Sequence, residues 1–192
     1  MLKKLLEWDR DTFIYLNNLG IDDHDVFWTA VTTISNWTPL FLLFIVLLIY
    51  KYGKVEGLYK VLTLLVMLLF VLSLTYLTKE WVARLRPNND TQVNTLIRIL
   101  QSPHDYSFFS GHAASSFSIT TLVYLFLRKK MAWTWVFFLW PILFALSRIF
   151  VGVHFPIDIL VGMLVGITSA ALFYKFHKSF IGKIRLGRSE GR

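Results

Sequence analysis

Three long stretches with almost no charge, residues 39–50, 58–78 and 157–174, decide what this chain can fold into. About 20 apolar residues, rising about 1.5 Å each as a helix, cross a bilayer core of about 30 Å. A chain of 192 residues that is 55% hydrophobic, with mean hydropathy +0.54, then has room for one helical membrane domain and little else. The expected fold class is all-α: a polytopic transmembrane bundle of about five spans over residues 1–192. The spans fall at about 26–50, 58–78, 111–127, 131–150 and 156–174. Pro39 and Pro141 lie inside the first and fourth, and the first is expected to kink near 36–39, because proline removes a backbone donor.

Residues 1–20 do not read as a signal peptide, since Glu7, Asp9, Arg10 and Asp11 interrupt the apolar core such a peptide needs. They read as an amphipathic helix. Leu2, Leu5, Leu6, Trp8, Phe13, Ile14 and Leu16 either lie in the membrane interface with the charges toward water, or pack on the rest of the chain.

Charge orients the spans. The net charge is +8, and the basic residues flank the apolar segments rather than forming a nucleic-acid platform, so no nucleic-acid partner is expected. Lys51, Lys54 and Lys60, the turn Arg128-Lys129-Lys130, and the tail 175–192 with six Lys/Arg against Glu190 fall on one side of a five-span bundle. The positive-inside rule makes that side cytoplasmic. The connections near 79–111 and 150–156 then lie outside, and the polar groups considered next fall on or beside them.

The first such group is Lys79 to Arg86-Pro87. Seven residues are two helical turns, so the two cations share a face and suit an oxyanion. Equally, they suit interfacial snorkelling, with Pro87 only stopping the helix. Arg84 points elsewhere. The second group, Ser110-Gly111-His112, opens an apolar helix where backbone N–H groups and a glycine favour phosphate. The third is Ser147-Arg148 to His154 to Asp158. His154 and Asp158 are four apart, so the carboxylate can hold one imidazole nitrogen and leave the other free to attack. A structural Arg148–Asp158 ion pair is the alternative reading of that segment.

Together these residues make a phosphoryl-transfer inventory. Three cations supply the charge that a metal would bring and oppose a divalent ion, so neither metal nor cofactor is expected. The chain has no cysteine to offer as thiolate ligand or nucleophile.

The order and spacing resemble the type-2 phosphatidic acid phosphatase superfamily, which also contains the vanadium haloperoxidases. Its pattern K-x6-RP, PSGH, SR-x5-H-x3-D is met by Lys79 to Pro87, by Ser110 to His112 with Phe109 in place of proline, and by Ser147 to Asp158. The resemblance covers about residues 60–175. It implies His154 as nucleophile, Asp158 as its orienter, and His112 as acid and then base. It implies Lys79, Arg86, Ser110, Gly111 and Arg148 as phosphate ligands. The partner it implies is a lipid phosphate reached from the membrane, with membrane lipids around it. Undecaprenyl diphosphate is the first expectation, phosphatidylglycerophosphate or phosphatidate the second. Lipid A, as substrate or in lipid-to-lipid phosphate transfer, is the third. A non-catalytic membrane module is the reading from a different class.

Overall fold

The computed structural model describes residues 1–190, with side chains through Phe180 apart from that of Leu2. Its regular structure is helical, with no strand among the described residues. The helices are α1 (Leu2–Asn18), α2 (Asp25–Thr32), α3 (Thr38–Tyr52), α4 (Lys54–Val82), α5 (Gly111–Leu127), α6 (Leu139–Phe150) and α7 (Pro156–Glu190). Ile34–Tyr52, Lys54–Asn89, Ala132–Phe150 and Pro156–Phe180 are long and apolar enough to cross a membrane, and Gly111–Leu127 is a shorter apolar helix. The protein is a multi-pass membrane protein.

Helix α5 is the centre of the bundle. Its residues are buried almost all round, and it packs on α3, α4, α6 and α7. That burial explains how a 17-residue helix, only about 25 Å long, serves in a bilayer of about 30 Å: its neighbours, not lipid, surround it. The approach to α7 is closest. A Cβ on Gly162 would lie 2.5 Å from the Ser110 carbonyl oxygen, and one on Gly166 would lie 2.4 Å from that of Ala114. Two glycines four apart on one helix face let backbones meet in this way.

The first span differs from expectation. Residues 26–50 are not one kinked helix. Helix α2 ends at Thr32, a 3₁₀ turn covers Ile34–Trp37, and α3 starts anew at Thr38. Pro39 sits in the first turn of α3, where a missing N–H costs nothing, so it begins a helix rather than bending one. Pro141 likewise lies in the first turn of α6, after a 3₁₀ stretch over Ala132–Phe138. Helix α2 lies against α6, with Trp28 stacked on Phe150 at 4.2 Å.

The second span is longer than expected: Lys79 lies in its last turn, and it starts at Lys54, well ahead of Lys60. Lys60 is therefore not a loop charge. It is buried, pairs with Glu56 at 3.1 Å, and lies over the rings of Tyr52 and Phe126. At the same end, the Lys130 ammonium donates to the Lys51 carbonyl at 2.6 Å, so the two basic turns are neighbours. The backbone from Lys175 continues α7, and the charges of 181–192 lie outside the described side chains.

Helix α1 packs on α6 and α7 through Phe13, which meets Phe155 edge-on at 5.3 Å, while Leu5, Leu6 and Trp8 stay exposed. Its charges do not all face water. Asp9 and Asn17 are fully buried. Asn17 stitches α1 to the long connection, accepting from the Arg98 amide at 2.7 Å and donating to the Ile149 carbonyl at 2.8 Å.

Gly162→Val tests the glycine contact. The added side chain must push α7 off α5, and overpacking of this kind costs about 1–3 kcal/mol. The expected outcome is a lower Tm in detergent. An unchanged Tm would show that the helices have slack there.

Candidate active site

The site lies where α4 ends and α5 and α7 begin. Ala83 takes a left-handed conformation (φ 49°) that closes α4, its N–H bonding the Lys79 carbonyl at 2.9 Å. The chain then turns back over the bundle end. Arg86 is extended, as a residue before proline prefers to be, and this carries its side chain inward. Its Nη1 donates to the Val153 carbonyl at 3.0 Å and approaches His154 Nε2 at 3.0 Å.

That last contact fixes a tautomer. A guanidinium only donates, so His154 Nε2 must present its lone pair and the proton of a neutral ring sits on Nδ1. The Asp158 carboxylate is 3.6 Å from Nδ1, too far for a hydrogen bond. Ser107 bridges the gap, with its Oγ 3.3 Å from Nδ1 and bonded to Asp158 Oδ2. The same Oδ2 accepts from the Phe155 amide at 3.1 Å. The expected direct His154–Asp158 hold is thus a hold through a serine.

Arg148 points in from α6. Its Nη1 is held by Thr32 and, at 3.1 Å, by Gln101, leaving Nε buried with no protein partner. His112, half-buried, packs on Phe144 with ring centroids 5.0 Å apart, and Arg148, His154, Arg86 and Lys79 are its electrostatic neighbours. Ser110 has its hydroxyl on the Ala113 amide at 3.4 Å, as helix cap, and its own amide on the Asp158 carbonyl at 2.9 Å. Gly111 lies against Thr75 of α4, a contact a Cβ would crowd at 3.1 Å. Phe109, where the family pattern has proline, is buried in the core, and its peptide bond with Phe108 is cis.

The arrangement gathers Lys79, Arg86, Arg148, His112 and His154 at one end of the bundle. Such a cluster can bind an oxyanion and transfer it to nitrogen. The PAP2 superfamily matches residues 60–181, which span all three motifs and more than half of the chain. The chain belongs to the PAP2 superfamily. It is 28% identical over 180 residues to the lipid A 4'-phosphatase of Porphyromonas gingivalis, covering 92% of this chain and 75% of that one. It is 33% identical over 131 residues to an undecaprenyl-diphosphatase of Sulfolobus acidocaldarius, covering 68% and 58%. In structure it resembles a transmembrane PAP2 type phosphatidylglycerolphosphate phosphatase from Bacillus subtilis, with TM-score 0.69, 22% identity, and coverage of 94% and 88%. It also resembles LpxE of Aquifex aeolicus, with TM-score 0.63, 28% identity, and coverage of 86% and 93%. The protein is a PAP2 membrane lipid phosphatase.

Three residues of this PAP2 site were not expected from sequence. Arg84 does not point elsewhere; it bonds Asp158 and Asp9, both at 2.7 Å. Asp105 bonds Lys79 and Arg86, its Oδ1 lying 2.8 Å from Arg86 Nη2. Ser107 is the third. The 79–111 connection carries two further acids and a serine near the motifs, but spacing along an irregular segment says nothing about where they fold.

Burial works to raise the Asp105 carboxyl, and the contacts with Lys79 and Arg86 outweigh it, holding Asp105 below the ordinary carboxylate range. His154 is pushed well below its ordinary value by burial first, then by Arg86, Arg148 and Lys79, against the opposing pull of Asp105. A depressed histidine stays neutral as pH falls. The acid limb of kcat/KM set by His154 is therefore expected below the ordinary imidazole pKa of about 6.5. Asp105→Asn removes the opposing charge and should move that limb lower still. It also frees Lys79 and Arg86 for an added anion, so vanadate inhibition should tighten about tenfold, the equivalent of about 1.4 kcal/mol. Unchanged vanadate inhibition would mean that Asp105 does not compete for these cations.

Proposed function

We propose that this phosphatase hydrolyses a prenyl diphosphate, undecaprenyl diphosphate being the expected form, through a phosphohistidine on His154 and without a metal. The observation that carries the chemistry is the Arg86–His154 contact, which leaves the Nε2 lone pair facing the cation cluster. In the first step the Nε2 lone pair forms the N–P bond. The bond to the leaving oxygen breaks with its electron pair, and His112 supplies the proton. In the second step His112 takes a proton from water, whose oxygen attacks phosphorus and returns the lone pair to Nε2. Lys79, Arg86, Arg148 and the Gly111 amide spread the charge of the transferring group, with Ser110 capping the helix that presents that amide. Three cations in this role leave little for a divalent ion to add, and among the described residues no three His, Asp or Glu side chains are grouped to hold one.

The prenyl reading is supported by an apolar cavity of about 360 Å³ between α3, α4 and α5, lined by Phe41, Phe44, Leu48, Leu64, Leu68, Leu72, Ser115 and Ile119. Ser115 is one helical turn from Gly111, so a chain lying there has its head at the site. Its apolar lining suits a hydrocarbon chain. The opposite observation favours a second reading: the alignment with a lipid A 4'-phosphatase runs over 92% of the chain, whereas that with the Sulfolobus undecaprenyl-diphosphatase runs over 68%. Residues 1–192 are read as one membrane-embedded phosphatase domain, with 1–20 as its N-terminal helix. It sits in a bacterial cytoplasmic membrane with the basic turns and the tail 175–192 inside and the site outside.

A panel of undecaprenyl diphosphate, phosphatidylglycerophosphate, phosphatidate and lipid A, assayed side by side in detergent with and without chelator, tests the assignment. The highest kcat/KM is expected for the prenyl diphosphate, with no loss to chelation. A clear preference for lipid A, or rescue by a stoichiometric divalent ion, would overturn it. The chain has no cysteine, so single cysteines report sidedness. One at Asn89 should react with an impermeant maleimide in intact cells and one at Lys129 should not. The reverse pattern would invert the topology.

A further inference from the structure

We propose that Asp9, on the N-terminal helix, and Arg84 are positioning residues for phosphoryl transfer: together they set the orientation and the charge of the Asp158 carboxylate behind His154. The proposal rests on the roles given above to His154 and Asp158.

The contacts form a closed frame. Arg84 gives Nη1 to Asp158 Oδ1 and Nη2 to Asp9 Oδ2, each at 2.7 Å. The other oxygen of Asp9 accepts from the Ile157 amide at 2.9 Å, in the same first turn of α7 that carries Asp158. The guanidinium carbon lies 4.1 Å from the ring centre of Phe155. Since Ser107 and the Phe155 amide hold Asp158 Oδ2, neither carboxylate oxygen is left to turn. A planar fork with two separate donors suits this geometry, and a lysine ammonium does not.

Docking does not require these charges. Phe13 already packs α1 against Phe155, and an apolar residue in place of a buried ion pair commonly holds a helix as well or better. Asp9 is nevertheless fully buried beside a second fully buried carboxylate, with one guanidinium between them. Burial pushes the Asp9 carboxyl above its ordinary value, against the hydrogen bonds that keep it an acceptor. Such an arrangement makes sense if charge behind His154 matters. With Asp9 ionised, two carboxylates share one cation, and Asp158 keeps part of its negative charge. When Nε2 bonds phosphorus, the ring becomes a cationic phosphoimidazolium whose Nδ1–H faces Ser107 and Asp158. The residual charge on Asp158 stabilises that cation. Without Asp9, Arg84 neutralises Asp158 alone.

The test is the rate of the p-nitrophenol burst from p-nitrophenyl phosphate, measured on the full chain in detergent for Asp9→Asn, Arg84→Lys, Asp158→Asn and the Asp9/Asp158 double variant. Asp9→Asn and Arg84→Lys are each expected to slow the burst at saturating substrate about 10- to 100-fold, as loss of an orienting partner does, with KM within about twofold. In the Asp158→Asn background, Asp9→Asn should cost nothing further. A wild-type burst in Asp9→Asn overturns the proposal. So does a loss that multiplies fully with that of Asp158→Asn, because Asp9 would then act by another route. If Asp9→Asn fails to fold, Arg84→Lys paired with Asp158→Asn carries the same cycle. A burst from His154→Ala would instead overturn the nucleophile assignment beneath it, which separates the two failures.

Discussion

The approach of α5 to α7 is the contact on which the site depends. Gly162 and Gly166 let the Ser110 and Ala114 carbonyls lie against the α7 backbone, and the Ser110 amide then reaches the Asp158 carbonyl. This fixes the start of one helix against the start of another. The Gly111-His112 turn and the His154–Asp158 turn therefore meet at one end of the bundle, although 42 residues separate His112 from His154. Small residues achieve this in a membrane because association there comes from close backbone packing rather than from exclusion of water.

Charge is the second constraint. Lys79, Arg86 and Arg148 are buried beside one another, which is tolerable only with anions or oriented acceptors close by. Asp105, the Val153 carbonyl, Thr32 and Gln101 supply them. Each of these comes from a connection or from the short helix α2 rather than from the five apolar helices. The irregular segments are therefore a charge-balancing cap over an apolar bundle, and their own fold is secured by Asn17 and Asn18 on α1 and by Arg98 with Asp22 and Asp25.

Much of this was legible in the sequence, for a physical reason. Apolar runs of bilayer length read as helices because the membrane leaves backbone groups no other partner, and α5 lies where a span near 111–127 was expected. The site cations and histidines were legible because ionisable groups beside such runs are costly. What escaped was positional. The break between α2 and α3 follows from Pro39 serving as a helix start, a choice that composition does not reveal. Arg84 read as pointing away from the site because helical spacing was assumed beyond Lys79, whereas Ala83 leaves the helix and redirects the side chain. The pairing of Asp9 escaped both readings of the N-terminal helix because its partner lies 75 residues away. The serine between His154 and Asp158 was hidden by a spacing of four, which on a regular helix needs no intermediary.

The central claim is that His154 Nε2 carries the phosphoryl group. Rapid alkaline quenching of the protein during turnover of a phosphate-labelled substrate, followed by peptide mapping, tests it most directly. The expected result is alkali-stable, acid-labile label on the peptide containing His154, absent from His154→Ala and accumulating in His112→Ala, where no base activates water. Label on another residue, or a labelled His154→Ala protein, would contradict the account.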